Sequence, residues 1–422
     1  MHYCVIGMGY VGLPLMVEIA KAGHKATGVD IDIRKSEMVN AGKSYIEDVP
    51  SNILKPLVKN GLLKGTNNFD ILKEADVISI CVPTPLRKTK DPDISYIIAA
   101  MNEISKRLQK GQIIILESTT YPGTTAEVIL PELSKNGKEA GKDFFLAFSP
   151  ERVDPGNKVY TTKNTPKIIG GITEKCTKKS AAAYRNIFDT IIPVSSTQCA
   201  EMVKLLENTF RSVNIGLVNE IALMCDKLKL DVWEVINAAA TKPFGFMPFF
   251  PGPGLGGHCI PIDPHYLSWK LKTLNYYAKF IELASDINAN MPAYVVSKVA
   301  DALNDEGKAL SKSRIFVLGV AYKKDVSDVR ESPAIDVIQL LKNKKADVIY
   351  NDPYINKLDE FDKEMFSTDL TEKNLKSADC VVIVTAHSCY DYKMICKNSK
   401  LIFDSRNAIK KELEGKTRVV KL

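Results

Sequence analysis

The chain has 422 residues, more than one hydrophobic core usually supports and enough for two or three domains. With 45% hydrophobic and 25% charged residues it has an ordinary globular composition, which excludes a disordered chain, and no run approaches the roughly 20 apolar residues that a membrane-spanning helix needs. The net charge of +7 comes from lysines spread along helical stretches without interleaved aromatics, a solvated surface that argues against a nucleic-acid partner and suits a small anionic substrate such as a nucleotide diphosphate. The first strand starts almost at Met1 and leaves no room for a signal peptide, so a cytoplasmic protein is expected. The 9 cysteines are scattered without CxxC pairs, which fits a reducing compartment and offers no zinc-ligand spacing.

Short β-branched runs alternate with helical patterns from the start. Candidate strands at residues 3–7, 26–30, 77–82, 113–117, 144–148 and 167–170 predict a parallel sheet with helices on both faces. Near Ser196 the pattern changes. Residues 197–230 carry apolar positions at helical spacing through Met202, Leu205, Leu206, Phe210, Val213, Leu217 and Ile221, which predicts one long helix. More helix follows to about Gly307, interrupted by a Pro/Gly-rich segment at residues 243–264. After Ser311 the alternation returns, with candidate strands at 314–318, 347–350, 380–384 and 400–403. The chain reads as α/β, then helical, then α/β, with expected divisions 1–196, 197–308 and 309–422.

Gly7, Gly9 and Gly12 form GxGxxG directly after the first strand, with Tyr10 and Val11 inside the same turn and a helix beginning behind it. Glycines permit the tight turn, close approach of backbone to a pyrophosphate and close helix–strand packing, while the helix N-terminus favours negative charge. Asp30 closes the next strand at the distance expected for an acid that hydrogen-bonds the ribose hydroxyls, which favours NAD. Arg34 and Lys35 fit either reading: contacts to the 2′-phosphate of NADP, or flanks of the adenosine of NAD.

Other segments sit just beyond strand ends, where cofactor and substrate meet in such sheets. They are VPTP at 82–85 with Pro83 and Thr84, ESTTYPGT at 117–124 with Thr119, and SPERV at 149–153 with Glu151 and Arg152. Lys204 and Asn208 are four apart on the long helix and share a face. Taken singly, Thr119 and Glu151 also read as turn or cap residues and Lys204 as a solvated charge. The segment PGPGLGGHCIPIDP at 251–264 is different, because a glycine-rich loop that permits close backbone approach presents a thiol, Cys259, and a carboxylate, Asp263.

GMGYVG, VPTP, STT-x-PGT, SPERV, the K-x-x-x-N pair, PGPGLGGHCIPIDP and GVAYKKDVSDVRESP occur in the order seen in the UDP-glucose/GDP-mannose dehydrogenase family, which the chain resembles from Met1 to its C-terminal part. The resemblance implies two Rossmann-like doubly wound domains joined by a helical middle domain that carries the cysteine loop and forms dimers or higher homo-oligomers. It implies four-electron oxidation of a sugar C6 alcohol by NAD, with Cys259 forming a thiohemiacetal and then a thioester. Lys204 and Asn208 match residues that stabilise oxyanion character on the C6 oxygen. Asp263, Thr119 and Glu151 match residues that position water, accept protons or serve thioester hydrolysis, with the base among them left open. Phe250, Gly252, Gly254 and Gly256 match the wrap around the sugar nucleotide. Glu151, Arg152, Lys323 and Arg406 match further substrate contacts, and Arg330 matches a cofactor contact near the subunit boundary.

The segment at 241–247 lacks the arginine that UDP-glucose enzymes carry there, and SPERV stands in place of their PEF pattern. The chain is therefore more similar to the branch acting on UDP-N-acetylhexosamines. UDP-N-acetylglucosamine is the leading expected substrate, with UDP-N-acetylmannosamine, UDP-N-acetylgalactosamine and UDP-glucose as alternatives. An ordinary two-electron hydroxy-acid dehydrogenase shares the dinucleotide fold and long helix but needs no cysteine.

Overall fold

The computed structural model describes residues 1–422 except 47, 88–90, 155, 156, 158, 258, 362, 414 and 416. The chain forms two compact units, Met1–Glu207 with His265–Tyr276 and Asn208–Pro264 with Tyr277–Leu422.

In the first unit the described elements are β1 (His2–Ile6), α1 (Gly12–Lys21), β2 (Lys25–Val29), α2 (Ile33–Asn40), α3 (Ser51–Lys59), β3 (Leu63–Thr66), β4 (Val77–Ile80), α4 (Ser95–Ser105), β5 (Ile113–Leu116), α5 (Leu130–Leu133), β6 (Phe145–Phe148), β7 (Lys167–Gly171), α6 (Glu174–Tyr184) and β8 (Ile191–Val194). They build an eight-stranded sheet in the order β3-β2-β1-β4-β5-β6-β7-β8. The strand order reverses between β1 and β4, a point where open α/β sheets leave a crevice at their carboxyl ends. Central strands VISI, IIIL and FLAF are buried throughout, because helices cover both faces and no polar face is needed.

One pairing departs from the all-parallel expectation: β6 and β7 run antiparallel, Ala147 opposite Gly171 and Phe148 opposite Gly170. No helix lies among the described residues of the connection 149–166, and without a crossover the chain returns in the opposite sense. Strands β3 and β8 were not anticipated. Both are sheet edges, and neither LKGT nor the proline-bearing IIPV carries the apolar run of a central strand.

The helix α7 (Thr197–Leu228) begins in the first unit and continues into the second. The second unit contains α8 (Val232–Ala239), the start of α9 (Asp263–Lys272) and α10 (Lys279–Asp305). It also contains β9 (Arg314–Leu318), α11 (Pro333–Asn343), β10 (Asp347–Asn351), β11 (Lys357–Leu358), β12 (Met365–Phe366), α12 (Glu372–Ser377), β13 (Cys380–Ile383), α13 (Tyr392–Asn398), β14 (Leu401–Asp404) and β15 (Arg418–Lys421). Five strands form a parallel sheet in the order β10-β9-β13-β14-β15. On α10, Val295, Val296, Val299, Ala302 and Leu303 pack into that sheet's core. The same helix meets α7 where Gly216 leaves room for Ala284. No described helix is long and apolar enough to cross a membrane.

Candidate active site

The dinucleotide turn is assembled from backbone necessity. Gly7 has φ +93°, and a Cβ there would lie 2.5 Å from the Cys81 carbonyl oxygen, while a Cβ on Gly12 would overlap the Gly7 carbonyl. These two glycines let β1, β4 and α1 close together. A Cβ on Gly9 would meet nothing within 4 Å, so the turn is open at the N-terminus of α1. The N-cap there, Val11, brings no side-chain acceptor to the helix start, where the Leu13 amide bonds the Gly9 carbonyl at 3.1 Å, and Tyr10 stands 52% exposed beside the turn.

Asp30 follows β2 directly. Its Oδ2 accepts the Met8 amide at 2.9 Å and the Lys35 Nζ at 3.0 Å, and its Oδ1 accepts the Asp32 amide at 3.0 Å. Arg34 is paired with Asp32 through Nε at 2.9 Å and Nη2 at 2.8 Å. Both cations that an extra ribose phosphate would need are balanced by carboxylates, so the turn fits NAD. VPTP follows β4, where Ser118 donates to the Val82 carbonyl at 2.7 Å and Tyr266 donates to the Thr84 carbonyl at 3.0 Å. Pro83 is exposed and Thr84 half-buried.

Thr119 lies half-buried beyond β5. Its loop is tied to α7 by Glu201, whose carboxylate accepts the Gly123 amide at 2.7 Å, the Thr125 amide at 2.9 Å and the Thr125 hydroxyl at 2.7 Å. Burial pushes the Glu201 carboxyl up to about 7. One helical turn along, Lys204 is 6% exposed.

Beyond β6, Glu151 accepts the Arg152 and Val153 amides on Oε1, both at 2.8 Å, and faces the Lys167 ammonium at 3.2 Å. Burial opposes its charge, but Lys167, the two amides and the nearby Lys204 hold the carboxyl below its ordinary range. Arg152 forks onto Glu207 with Nε at 3.2 Å and Nη2 at 2.6 Å and donates from Nη1 to the Pro166 carbonyl at 2.6 Å. Its guanidinium thus anchors the SPERV segment to α7.

In the second unit, Asn208 donates to Asp263, and its Oδ1 accepts Arg211 Nη2 at 2.5 Å. Asn208 and Asp263 are 1% and 3% exposed. The Asp263 and Ile262 amides donate to the Cys259 carbonyl at 2.8 and 3.2 Å, so Cys259 and Asp263 bracket one turn at the start of α9, with the thiol partly accessible. His258 in this run lies outside the described residues.

The preceding loop is shaped by its glycines. The Gly252 amide donates to Asn219 Oδ1 at 2.9 Å, and Asn219 is fixed by Asn288 at 2.8 Å. A Cβ on Gly252 would overlap the Arg406 guanidinium, whose Nε donates to the Val384 carbonyl at 2.9 Å. Gly254 (φ +133°) and Gly256 lie against Pro333, and Gly256 also against Tyr322. Phe250 is 47% exposed and stacks on Trp233 with ring centroids 6.0 Å apart. Lys323 is half-buried near this loop's partner Tyr322, and Arg330 is exposed and paired with Asp328 at 2.5 Å.

Cys259, Asp263 and Asn208 come together in one unit, and Glu151, Lys204 and the Thr119 loop in the other. Sequence reading missed Lys167, Glu117 and Glu201. The signal available for Lys167 was a charge opening an otherwise apolar strand, but partners 16 and 50 residues away are invisible to spacing.

Residues 1–191 match the NAD binding domain of the UDP-glucose/GDP-mannose dehydrogenase family, residues 198–290 its central domain and residues 316–411 its UDP binding domain. The chain is 36% identical over 421 residues to UDP-N-acetyl-D-mannosamine dehydrogenase of Pyrococcus horikoshii, covering 98% of this chain and 97% of the relative. It is 34% identical over 386 residues to UDP-N-acetyl-D-glucosamine 6-dehydrogenase of Pseudomonas aeruginosa, covering 91% and 90%. The solved structure of UDP-D-ManNAc dehydrogenase from Pyrococcus horikoshii superposes with a TM-score of 0.90 over 100% of this chain and 99% of that one.

Proposed function

The chain belongs to the UDP-glucose/GDP-mannose dehydrogenase family and is an NAD-dependent nucleotide-sugar dehydrogenase, and from that premise we propose that it oxidises the C6 alcohol of a UDP-N-acetylhexosamine to the carboxylate with Cys259 as covalent nucleophile. The observation that carries this reading is the single turn joining Cys259 to a buried Asp263 that Asn208 holds. NAD, when bound, accepts the hydride of each oxidation.

Lys204 and Asn208 offer donors to the negative charge that builds on the C6 oxygen. The Cys259 sulfur adds to the C6 aldehyde and forms the C–S bond of a thiohemiacetal. Loss of the second hydride leaves a thioester. Water then adds at C6, the C–S bond breaks, and the thiol is restored as the uronate leaves. One alcohol, two NAD and one water become one carboxylate, two NADH and three protons. Glu151, stabilised as an anion, is a weak proton acceptor and serves hydrolysis by orienting water. Asp263 and Thr119 are the remaining groups for water and proton placement.

The division of labour follows the chain: residues 1–196 for NAD, 197–308 for the cysteine loop and association, 309–422 for the UDP-sugar. In that reading Tyr10, Val11, Lys35, Pro83, Thr84 and Arg330 serve the cofactor, and Arg406, Lys323 and the Phe250–Gly256 loop the nucleotide sugar. Arg152, committed to Glu207, acts on the substrate only through the segment it anchors.

For the sugar, the relatives' names move UDP-N-acetyl-D-mannosamine ahead of UDP-N-acetyl-D-glucosamine, the sequence expectation, since the former accompanies both the 36% identity and the 0.90 TM-score. The test is NADH formed per UDP-sugar consumed to completion, for wild type and Cys259→Ser. Two NADH in wild type and a stalled serine variant are expected. One NADH from both proteins would leave a simple alcohol dehydrogenase, and a higher kcat/KM for UDP-glucose than for either amino sugar would overturn the branch assignment.

A further inference from the structure

Behind the SPERV segment a cation is buried between two carboxylates. Lys167 opens β7 and is 3% exposed, with Nζ 2.5 Å from Glu117 Oε2 and 3.2 Å from Glu151 Oε2. Glu117, just beyond β5, also accepts the Tyr184 hydroxyl at 2.5 Å, and that hydroxyl lies 2.7 Å from Ser79 Oγ on β4. The Phe188 ring stands 5.1 Å from the ammonium. The titratable groups facing the cluster are Cys81 after β4, Glu117, Tyr184 on α6 and Lys204 on α7.

Taking three charges out of water costs several kcal/mol per ion, and apolar side chains of similar volume would fill the space at lower cost. The arrangement makes sense where one member must remain charged. We propose that Lys167 is a positioning residue of the hydrolytic half-reaction, its shared ammonium keeping the Glu151 carboxylate ionised and fixed in one orientation while water adds to the thioester. The inference rests on the role given above to Glu151. The two carboxylates are not equivalent. Burial and the charge of Glu151 push Glu117 up, whereas Glu151 is held down, so a proton entering the cluster goes to Glu117 and spares the working anion.

Acid quenching during turnover followed by intact-mass measurement reads the acyl-enzyme directly, since a thioester survives acid and a thiohemiacetal does not. In Lys167→Met, Glu151 loses its counter-charge. The acid limb of hydrolysis should move up by about one pH unit or more, so that on that limb the rate falls about tenfold against wild type at the same pH and the acyl-enzyme accumulates. Hydrolysis should recover as pH rises, with KM for NAD and sugar within about twofold of wild type, and Lys167→Arg should restore the rate. Glu117→Gln, nearly isosteric, leaves the ammonium to Glu151 alone and should not raise the acid limb.

A folded Lys167→Met with wild-type hydrolysis and an unmoved acid limb overturns the proposal. So does an acid limb raised by a unit or more in Glu117→Gln, an outcome that stands even if the methionine variant does not fold. Glu151→Gln separates the two readings. If it fails to accumulate acyl-enzyme, the role of Glu151 is wrong; if it accumulates and Lys167→Met does not, only the inference about Lys167 falls.

Discussion

At Glu201 a single side chain holds a loop by accepting three donors while being fully buried, and the two effects oppose each other. Desolvation wins, lifting its carboxyl to about 7. A carboxyl whose folded value exceeds the unfolded 4.5 binds an extra proton in the native state between about pH 4.5 and 7. The native state therefore gains from that proton at low pH and loses the advantage as pH rises through 7, by up to about 1.4 kcal/mol per pH unit. Glu201→Gln should remove this slope from urea-unfolding curves taken between pH 5 and 8. Its amide would also turn a donor toward one of the loop donors, costing about 1–3 kcal/mol. A wild-type-minus-variant difference independent of pH would show that the carboxyl does not titrate there.

Among elements, the glycine-rich loop shows how a flexible sequence becomes a rigid surface. Gly252 is seated by a chain of buried amides, Asn219 to Asn288 and Asn288 to the Ser212 carbonyl at 3.2 Å, linking α7, α10 and the loop. Replacing Asn219 by leucine strands the Gly252 amide and one Asn288 oxygen without partners. A loss of about 2–6 kcal/mol in stability is expected, at about 1–3 kcal/mol per stranded group. The KM for the UDP-sugar should rise more than kcat falls if the Phe250–Gly256 stretch wraps the sugar nucleotide, as proposed, ahead of Cys259. Steady-state kinetics showing a kcat loss alone would contradict that assignment of the loop.

For the whole molecule, α7 leaves Leu206, Leu217 and Leu228 exposed at 58%, 51% and 68%, with Phe280 and Leu283 of α10 at 74% and 54%. Large apolar side chains exposed on α7 and on α10 are what the proposed homo-oligomer would bury. Light scattering at micromolar concentration should give at least twice the chain mass of 46.7 kDa, and Leu217→Glu should shift the mass toward one chain. A wild-type monomer would remove the idea of a homo-oligomer.

What the sequence determined by itself was everything encoded in local period and local spacing. The central strands, the 32-residue α7, the GxGxxG turn with Asp30, and the Cys259–Asp263 pair all declare themselves within about 30 residues. The reversed strand β7, the edge strands β3 and β8, the Arg152–Glu207 fork and the Glu117–Lys167–Glu151 cluster did not. An edge strand is stabilised by the neighbour it pairs with more than by its own residues. A buried ion is recognised by partners that only the folded sheet brings within 3.2 Å. Tertiary structure therefore decided which charges are buried and which partners hold them, because burial and neighbours are contained in no linear pattern.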